Sequence, residues 1–341
     1  MFSLLTLVVT AAQAFTGDGS FASWQIREAD RIAELPLVAV TDKDSTFSGD
    51  KHNYESLAIY LWPDPQNPGG PYIVRDGEVN PEYQKYDLPR LRTMAENIDY
   101  LKKAYLATGN EKYVRRSKQM LDHWFINKST RMNPNANYGQ VCPGKNNGRG
   151  YPGAMSELID LRKVLDALTC FDDHGLMKRR ENKKYKKWFG DLGKWLQTSE
   201  LGKRIHDQPD NIAVMHDLLL YQISVYTGDK KTCRRIADEF VELRINKHIA
   251  EDGSQPEELK RTTAMSYSVY NLEHFAEFFE LLESNGDHLY RRNPERIDAG
   301  VNFLMQYVGH RDKFPYQQIK NDWESCEKRI LKLREKFDAM K

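Results

Sequence analysis

From Pro89 onward the apolar positions of this 341-residue chain recur at three- and four-residue steps. Leu91, Met94, Ile98, Leu101 and Tyr105 form one such series, and Ile212, Met215, Leu219, Ile223 and Tyr226 another. That period puts the apolar side chains on one face of a helix. The same pattern predicts helices near 111–126, 153–170, 181–197, 229–248, 264–283, 293–308 and 317–340. In the last of these, Trp323, Cys326, Ile330, Leu333, Phe337 and Met340 keep a strict three-four rhythm. The run is short for a coiled-coil seam, so packing on the parent domain is the expectation. One turn occurs twice between helical segments: Thr108-Gly109-Asn110-Glu111-Lys112 and Thr227-Gly228-Asp229-Lys230-Lys231. Gly ends a helix in the left-handed conformation, and Asn or Asp caps the next one. This is the punctuation of stacked helical hairpins, and it predicts an all-α helical array or α/α toroid.

Two stretches interrupt the pattern. Residues 36–88 are rich in Pro, Gly, Asp and Tyr, and residues 129–153 contain Asn133-Pro134-Asn135-Ala136-Asn137-Tyr138 and Gly148-Arg149-Gly150. Loops this long in a helical domain tend to carry function. No low-complexity linker divides the chain, so a single domain over residues 15–341 is expected.

The chain opens MFSLLTLVVTAAQA, with no charged side chain, an apolar stretch from Phe2 to Ala12, and Ala12-Gln13-Ala14 at its end. This reads as a signal peptide over residues 1–14, with cleavage after Ala14 and a secreted or periplasmic destination. No second long apolar run follows, so no membrane contact is expected after cleavage. Cys142, Cys170, Cys233 and Cys326 match no zinc spacing. They allow two disulfides in any of three connectivities, or four separate thiols. Asn127-Lys128-Ser129 is a glycosylation sequon.

Composition narrows the partners. The chain holds 50 Lys and Arg against 49 Asp and Glu, a net charge of +1. There is thus no global electrostatic case for nucleic acid or an anionic membrane. Phosphate-loop, dinucleotide, zinc-protease and serine-hydrolase motifs are all missing from the sequence, and no two histidines stand at metal-binding helical spacing. What remains is a set of loop aromatics, amides and arginines: Trp62, Tyr72, Arg75, Tyr138, Gln140 and Arg149. Flat rings cover the C–H faces of a sugar, while amides and guanidinium groups meet its hydroxyls and carboxylates. Such a loop equally well packs on itself.

Four ordered blocks carry a resemblance. The first runs His52-Asn53-Tyr54-Glu55-Ser56-Leu57 through Tyr60-Leu61-Trp62-Pro63-Asp64-Pro65, continuing in Pro71-Tyr72-Ile73-Val74-Arg75-Asp76-Gly77-Glu78-Val79-Asn80-Pro81-Glu82. The second is Asn135-Ala136-Asn137-Tyr138-Gly139-Gln140, with Pro143-Gly144 and Gly148-Arg149-Gly150. The third is Asp252-Gly253-Ser254-Gln255-Pro256, Glu258-Leu259, Arg261-Thr262, Tyr267-Ser268 and Asn271-Leu272. The fourth, Asp210-Asn211-Ile212-Ala213-Val214-Met215-His216-Asp217, is a partial match. Together they resemble the alginate-lyase-type polysaccharide lyase superfamily.

The resemblance implies an incomplete α/α barrel with long substrate-covering loops, an acidic polysaccharide as partner, and β-elimination at a uronic acid without metal or other cofactor. The substrate class implied is a 1,4-linked polyuronate such as alginate or glucuronan. The C5 proton of a uronate is weakly acidic because its carboxylate is already negative. That carboxylate must be neutralised before a base removes the proton and an acid protonates the leaving O4. Tyr267 matches the family's catalytic Tyr, and Arg261 and Asn211 the carboxylate partners. Six residues on one helix would turn Arg261 and Tyr267 about 120° apart. A helix start near Thr262–Thr263, with Arg261 on the preceding loop, is therefore required.

The family's usual His is replaced by Ile212, and His216, one turn on, is the candidate substitute. His52 is a further candidate to complete the site, and His206, in the loop before Pro209, another with less support. Two rival functions follow: a catalytically silent glycan-binding homologue, and a glycoside hydrolase, for which Asp252 and Glu258 are the only motif-associated carboxyl pair.

Overall fold

The computed structural model describes residues 21–341, so the proposed signal segment lies outside the described residues. The protein is mostly helical, 64% helix and 4% strand. The helices used below are α1 (Ser23–Glu34), α2 (Asp87–Thr108), α3 (Glu111–Leu121), α4 (Leu161–Asp173), α5 (Arg179–Thr198), α6 (Glu200–His206), α7 (Asn211–Thr227), α8 (Lys230–Phe240), α9 (Ala264–Ser284), α10 (Glu295–Met305) and α11 (Trp323–Ala339).

The repeated turn builds two matching hairpins. Gly109 adopts φ 68° and its N–H closes α2 on the Tyr105 carbonyl. Asn110 then caps α3 by accepting from the Lys112 N–H. At the second copy Gly228 adopts φ 82°, and Asp229 caps α8 by accepting from the Thr232 N–H. Each outer helix loosens into a π-helical turn at the same distance from its glycine, Asp122–Ile126 after α3 and Val241–Ile245 after α8. The repeat thus extends through a whole hairpin.

Packing follows the apolar stripes. α2 packs on α3 and α4, α4 on α7, and α7 on α9, while α5 and α8 flank α7. α9 in turn carries α10 and α11. α7 is buried along nearly its whole length, including Val214, Met215, Leu218, Leu219 and Ile223. α11 buries Trp323, Cys326, Ile330, Leu333 and Phe337 against its own domain. One continuous apolar core joins Ala29 of α1 to Met340. No described helix is long and apolar enough to cross a membrane. All four cysteines are unpaired thiols.

The long loops fold into two small ribbons. β1 (Glu55–Leu57) pairs in parallel with β4 (Tyr138–Val141), and β2 (Leu61–Trp62) pairs antiparallel with β3 (Ile73–Val74). The loop after β3 reaches the segment before α9: Asp76 accepts from the Thr262 N–H at 3.0 Å. Gly77, at φ +82°, is needed there, because a Cβ would lie 2.8 Å from both Ile319 and Thr262.

A cationic cleft around Tyr267

Where the loops meet the ends of α7 and α9 the protein encloses a cleft of about 610 Å³. Tyr267, Arg261 and Asn211 all line it, together with Gln140 and Ile212. α9 begins at Ala264, with Thr263 as its cap, so Arg261 sits on the preceding loop. That break places the Arg261 guanidinium carbon 3.6 Å from the centre of the Tyr267 ring. Arg261 is held there by Asp76, which accepts from Nε at 3.1 Å and from Nη2 at 2.6 Å.

The Tyr267 hydroxyl donates to the Tyr60 hydroxyl at 3.2 Å. Burial raises the Tyr267 pKa well above the usual phenol value; the Arg261 charge lowers it, and Tyr60 raises it again. The free protein therefore holds Tyr267 as a neutral phenol. A Tyr serving as base near neutral pH needs cations to make it more acidic, and here burial outweighs the one cation stacked on the ring.

Asn211 opens α7 and is 2% exposed. The Glu258 carboxylate accepts its backbone N–H at 2.7 Å and lies 3.0 and 2.9 Å from its Nδ2. Glu258 is thus the brace of Asn211, and its carboxyl is pushed up to about 7 by burial first and by Asp210 second. Asp252 is exposed and accepts from the Ser254 N–H. Neither carboxyl lines the cleft. The glycoside-hydrolase pair of the sequence reading is therefore two turn-and-helix braces.

His216, too, lies in the interior. It is 2% exposed, Nδ1 lies 2.9 Å from Asp217, and Nε2 lies 3.4 Å from the Leu196 carbonyl. Asp217 in turn holds the buried Arg244 at 2.7 Å. His216 is a buried, satisfied histidine one turn deeper along α7 than Ile212 and is not among the residues that line the cleft. His206 packs on its ring at 5.4 Å, and His52 bonds the Arg131 carbonyl. Among the described lining residues there is no histidine, and Ile212 takes up wall space instead.

Of the six loop candidates, Gln140 alone reaches the cleft wall. Its backbone is left-handed at φ 52°, and its Nε2 donates to Ser156. Gly153 makes room for it, since a Cβ there would lie 2.0 Å from Gln140 Oε1. The other five are engaged by neighbouring loop residues. Arg75 lies over the Trp62 ring at 5.3 Å, and Trp62 donates to the Glu78 carbonyl. Tyr72 donates to Glu82 at 3.0 Å. Arg149 lies over Tyr138 at 4.8 Å. None of these five is among the residues that line the cleft.

Sequence reasoning passed over the cations that charge the cleft. Arg92 of α2, Arg329 of α11 and Lys320 join Arg261 in the lining, against the carboxylates Asp210 and Asp322. Carboxylates outside the lining brace them: Asp160 accepts from Arg92 at 3.1 Å, and Glu273 takes Arg329 in a two-pronged bond at 2.7 and 2.5 Å. Tyr60 lay within the first quoted motif; the other three come from remote segments with no shared pattern.

A protein-family model described as alginate lyase matches residues 39–314. The chain belongs to the alginate lyase family. It is therefore a polysaccharide lyase by family. Among solved structures it is similar to an alginate lyase from Bacteroides ovatus, at 35% identity and a TM-score of 0.87, over 93% of this chain and 85% of that one. Alginate lyase A1-III from Sphingomonas species A1 shares the fold at 15% identity and a TM-score of 0.55, over 86% of this chain and 79% of that one. A form of alginate lyase A1-III complexed with a tetrasaccharide aligns at 16% identity and a TM-score of 0.53, over 85% and 76%. A search of curated protein sequences returns no significant match. Among the described residues no cluster of three or more His, Cys, Asp or Glu is placed to hold a metal ion.

Proposed function

We propose that this protein is an exported, single-domain polyuronate lyase that cleaves a 1,4-linked polymer such as alginate or glucuronan by metal-independent β-elimination. The row α2, α4, α7 and α9, with flanking hairpins, supports reading the fold as an incomplete α/α toroid whose inner end is the cleft. The observation that carries the reading is the convergence of Tyr267, Arg261 and Asn211 on one cleft bearing four cationic side chains. Along that wall Arg261, Arg92 and Arg329, each braced by a carboxylate, and Lys320 offer charged hydrogen-bond donors to the carboxylates of a polyuronate.

In this reading Asn211 and Arg261 meet the carboxylate of the uronate whose C5 proton is removed. They make the developing enolate tolerable by hydrogen bonding and charge. Tyr267 transfers the protons. A neutral phenol raised above its usual pKa is a poor stored base, because at pH 8 only about one unshifted phenol in a hundred is ionised. It works if it takes the C5 proton as it delivers its own to O4, so that free phenolate never accumulates. Tyr60, 3.2 Å away, orients the hydroxyl during that exchange.

Changing Tyr267→Phe tests this reading: turnover is abolished while polyuronate binding stays within about threefold. A glycan-binding protein without activity is the second reading, and Ile212 in the usual His position favours it. That reading predicts binding with no unsaturated product from the unaltered protein.

A further inference from the structure

Glu258 stands apart from the proton-transfer pair, yet it is bonded to the residue expected to hold the substrate carboxylate. It lies on the short helix Pro256–Leu259 and is 1% exposed. Its Oε1 accepts the Asn211 backbone N–H at 2.7 Å, and Oε1 and Oε2 lie 3.0 and 2.9 Å from Asn211 Nδ2.

An ionised carboxylate only accepts hydrogen bonds, so it fixes the amino end of the Asn211 amide toward itself and leaves the amide oxygen, with at most one N–H, for a substrate. A carbonyl oxygen has no hydrogen to give a uronate carboxylate. A protonated carboxyl has one O–H donor. With the proton on Oε2, Oε1 still accepts the backbone N–H, while Oε2–H donates to the amide oxygen after a half-turn of the amide. The amino end is then released toward the substrate.

Resting on the lyase reading above, we propose that Glu258 is a positioning residue whose protonation state selects which end of the Asn211 amide meets the uronate carboxylate. The charged neighbours are Asp210 at the start of α7, which disfavours ionisation of Glu258, and Arg261, which favours it and is itself committed to Asp76. Glu257 and Lys260 pair with each other at the surface, 2.5 Å apart. With burial, this balance brings Glu258 to half-protonation at about pH 7. A uronate arriving at Asn211 adds one more negative charge and draws the proton on more strongly.

The test follows the Asn211 side-chain amide signals of the 15N-labelled protein, identified by their loss in Asn211→Asp, across pH 5 to 9. KM for alginate and for glucuronan is measured over the same range in the unaltered protein and in Glu258→Gln. Gln carries both a donor and an acceptor and stands in for the protonated state. The Asn211 signals should titrate near pH 7 in the unaltered protein and stay fixed in Glu258→Gln. KM should climb toward tenfold per pH unit above that midpoint, as one proton requires, and become flat in Glu258→Gln with kcat kept within about threefold. Asn211 signals that do not move in the unaltered protein overturn the proposal. So does a uniform loss of kcat/KM in Glu258→Gln with the pH profile unchanged, the mark of a mere brace. If Glu258→Gln fails to fold, the titration of the unaltered protein decides alone. Titrating Asn211 signals without unsaturated product from either polymer would sink the polyuronate reading and leave the Glu258–Asn211 coupling standing.

Discussion

Asp76 is the residue through which the loop after β3 holds Arg261 in the cleft, so Asp76→Asn is an informative perturbation of the proposed lyase. The carboxylate accepts two hydrogen bonds from Arg261 and two from Thr262, through its N–H and its hydroxyl, each at 3.0 Å. The Arg261 and Asp76 side chains are 27% and 21% exposed, so solvent screens the pair only in part. A hydrogen bond to a charged group contributes about 1.5–3 kcal/mol, and a partly desolvated guanidinium–ring stack about 1–2 kcal/mol. Asn keeps the shape but supplies one acceptor oxygen and no charge. Arg261 then loses its fixed place over Tyr267. A loss near 1.5–2 kcal/mol of transition-state stabilisation lowers kcat/KM by roughly ten- to thirtyfold.

The assay is initial-rate formation of unsaturated uronate by Asp76→Asn, Arg261→Ala and the double variant. Because Asp76 acts through Arg261, the double variant should be little worse than Arg261→Ala. Losses that add in full, or an Asp76→Asn rate within twofold of the unaltered protein, would refute the idea that Asp76 works by holding Arg261.

Further outcomes follow from the same geometry. Tyr60→Phe removes the hydroxyl 3.2 Å from Tyr267 and should slow turnover about fivefold with KM little changed, a neutral hydrogen bond contributing about 1 kcal/mol. Glu157 is buried between the Tyr54 and Ser56 hydroxyls at 2.8 and 2.5 Å, and burial pushes its carboxyl from 4.5 to about 7. The folded protein therefore keeps that proton up to about pH 7 whereas the unfolded chain releases it near 4.5, so this group erodes stability as pH rises between those values. Glu157→Gln should accordingly gain up to about 3 kcal/mol relative to the unaltered protein on going from pH 4 to pH 8, read by denaturant melts. With all four cysteines unpaired, a reductant should leave Tm unchanged. Trp62→Ala should alter KM less than twofold, because that ring is already engaged by Arg75 and its indole N–H by Glu78.

Much of the helical frame was legible because it rests on local chemistry. The stripes of α2 and α7, the two glycine turns and the start of α9 each follow from spacing or from a single residue's conformational freedom. α1 was missed because its buried face holds Gln25, Ala29 and Ile32, which gives almost no apolar rhythm. The meeting of Arg261 and Tyr267 in one cleft was legible, because one loop and one helix start bring them together. Arg92, Lys320 and Arg329 were not, since more than 200 residues separate Arg92 from the other two and only the closed fold brings them together. The loop aromatics were misplaced for a different reason: a Trp beside an Arg reads alike whether the ring faces a sugar or that Arg. His216 looked available from its helical position, but its partners Asp217 and the Leu196 carbonyl belong to the interior.

The most direct test of the central claim is to offer the purified protein, with a chelator present, alginate and glucuronan separately and to follow the ultraviolet absorbance of the conjugated unsaturated uronate. Elimination creates that chromophore and hydrolysis does not. A steady rise with one polymer, abolished by Tyr267→Phe, is the predicted result. A flat trace with both polymers, or a rise that persists in Tyr267→Phe, would contradict the assignment of Tyr267 as the proton-transferring residue of a polyuronate lyase.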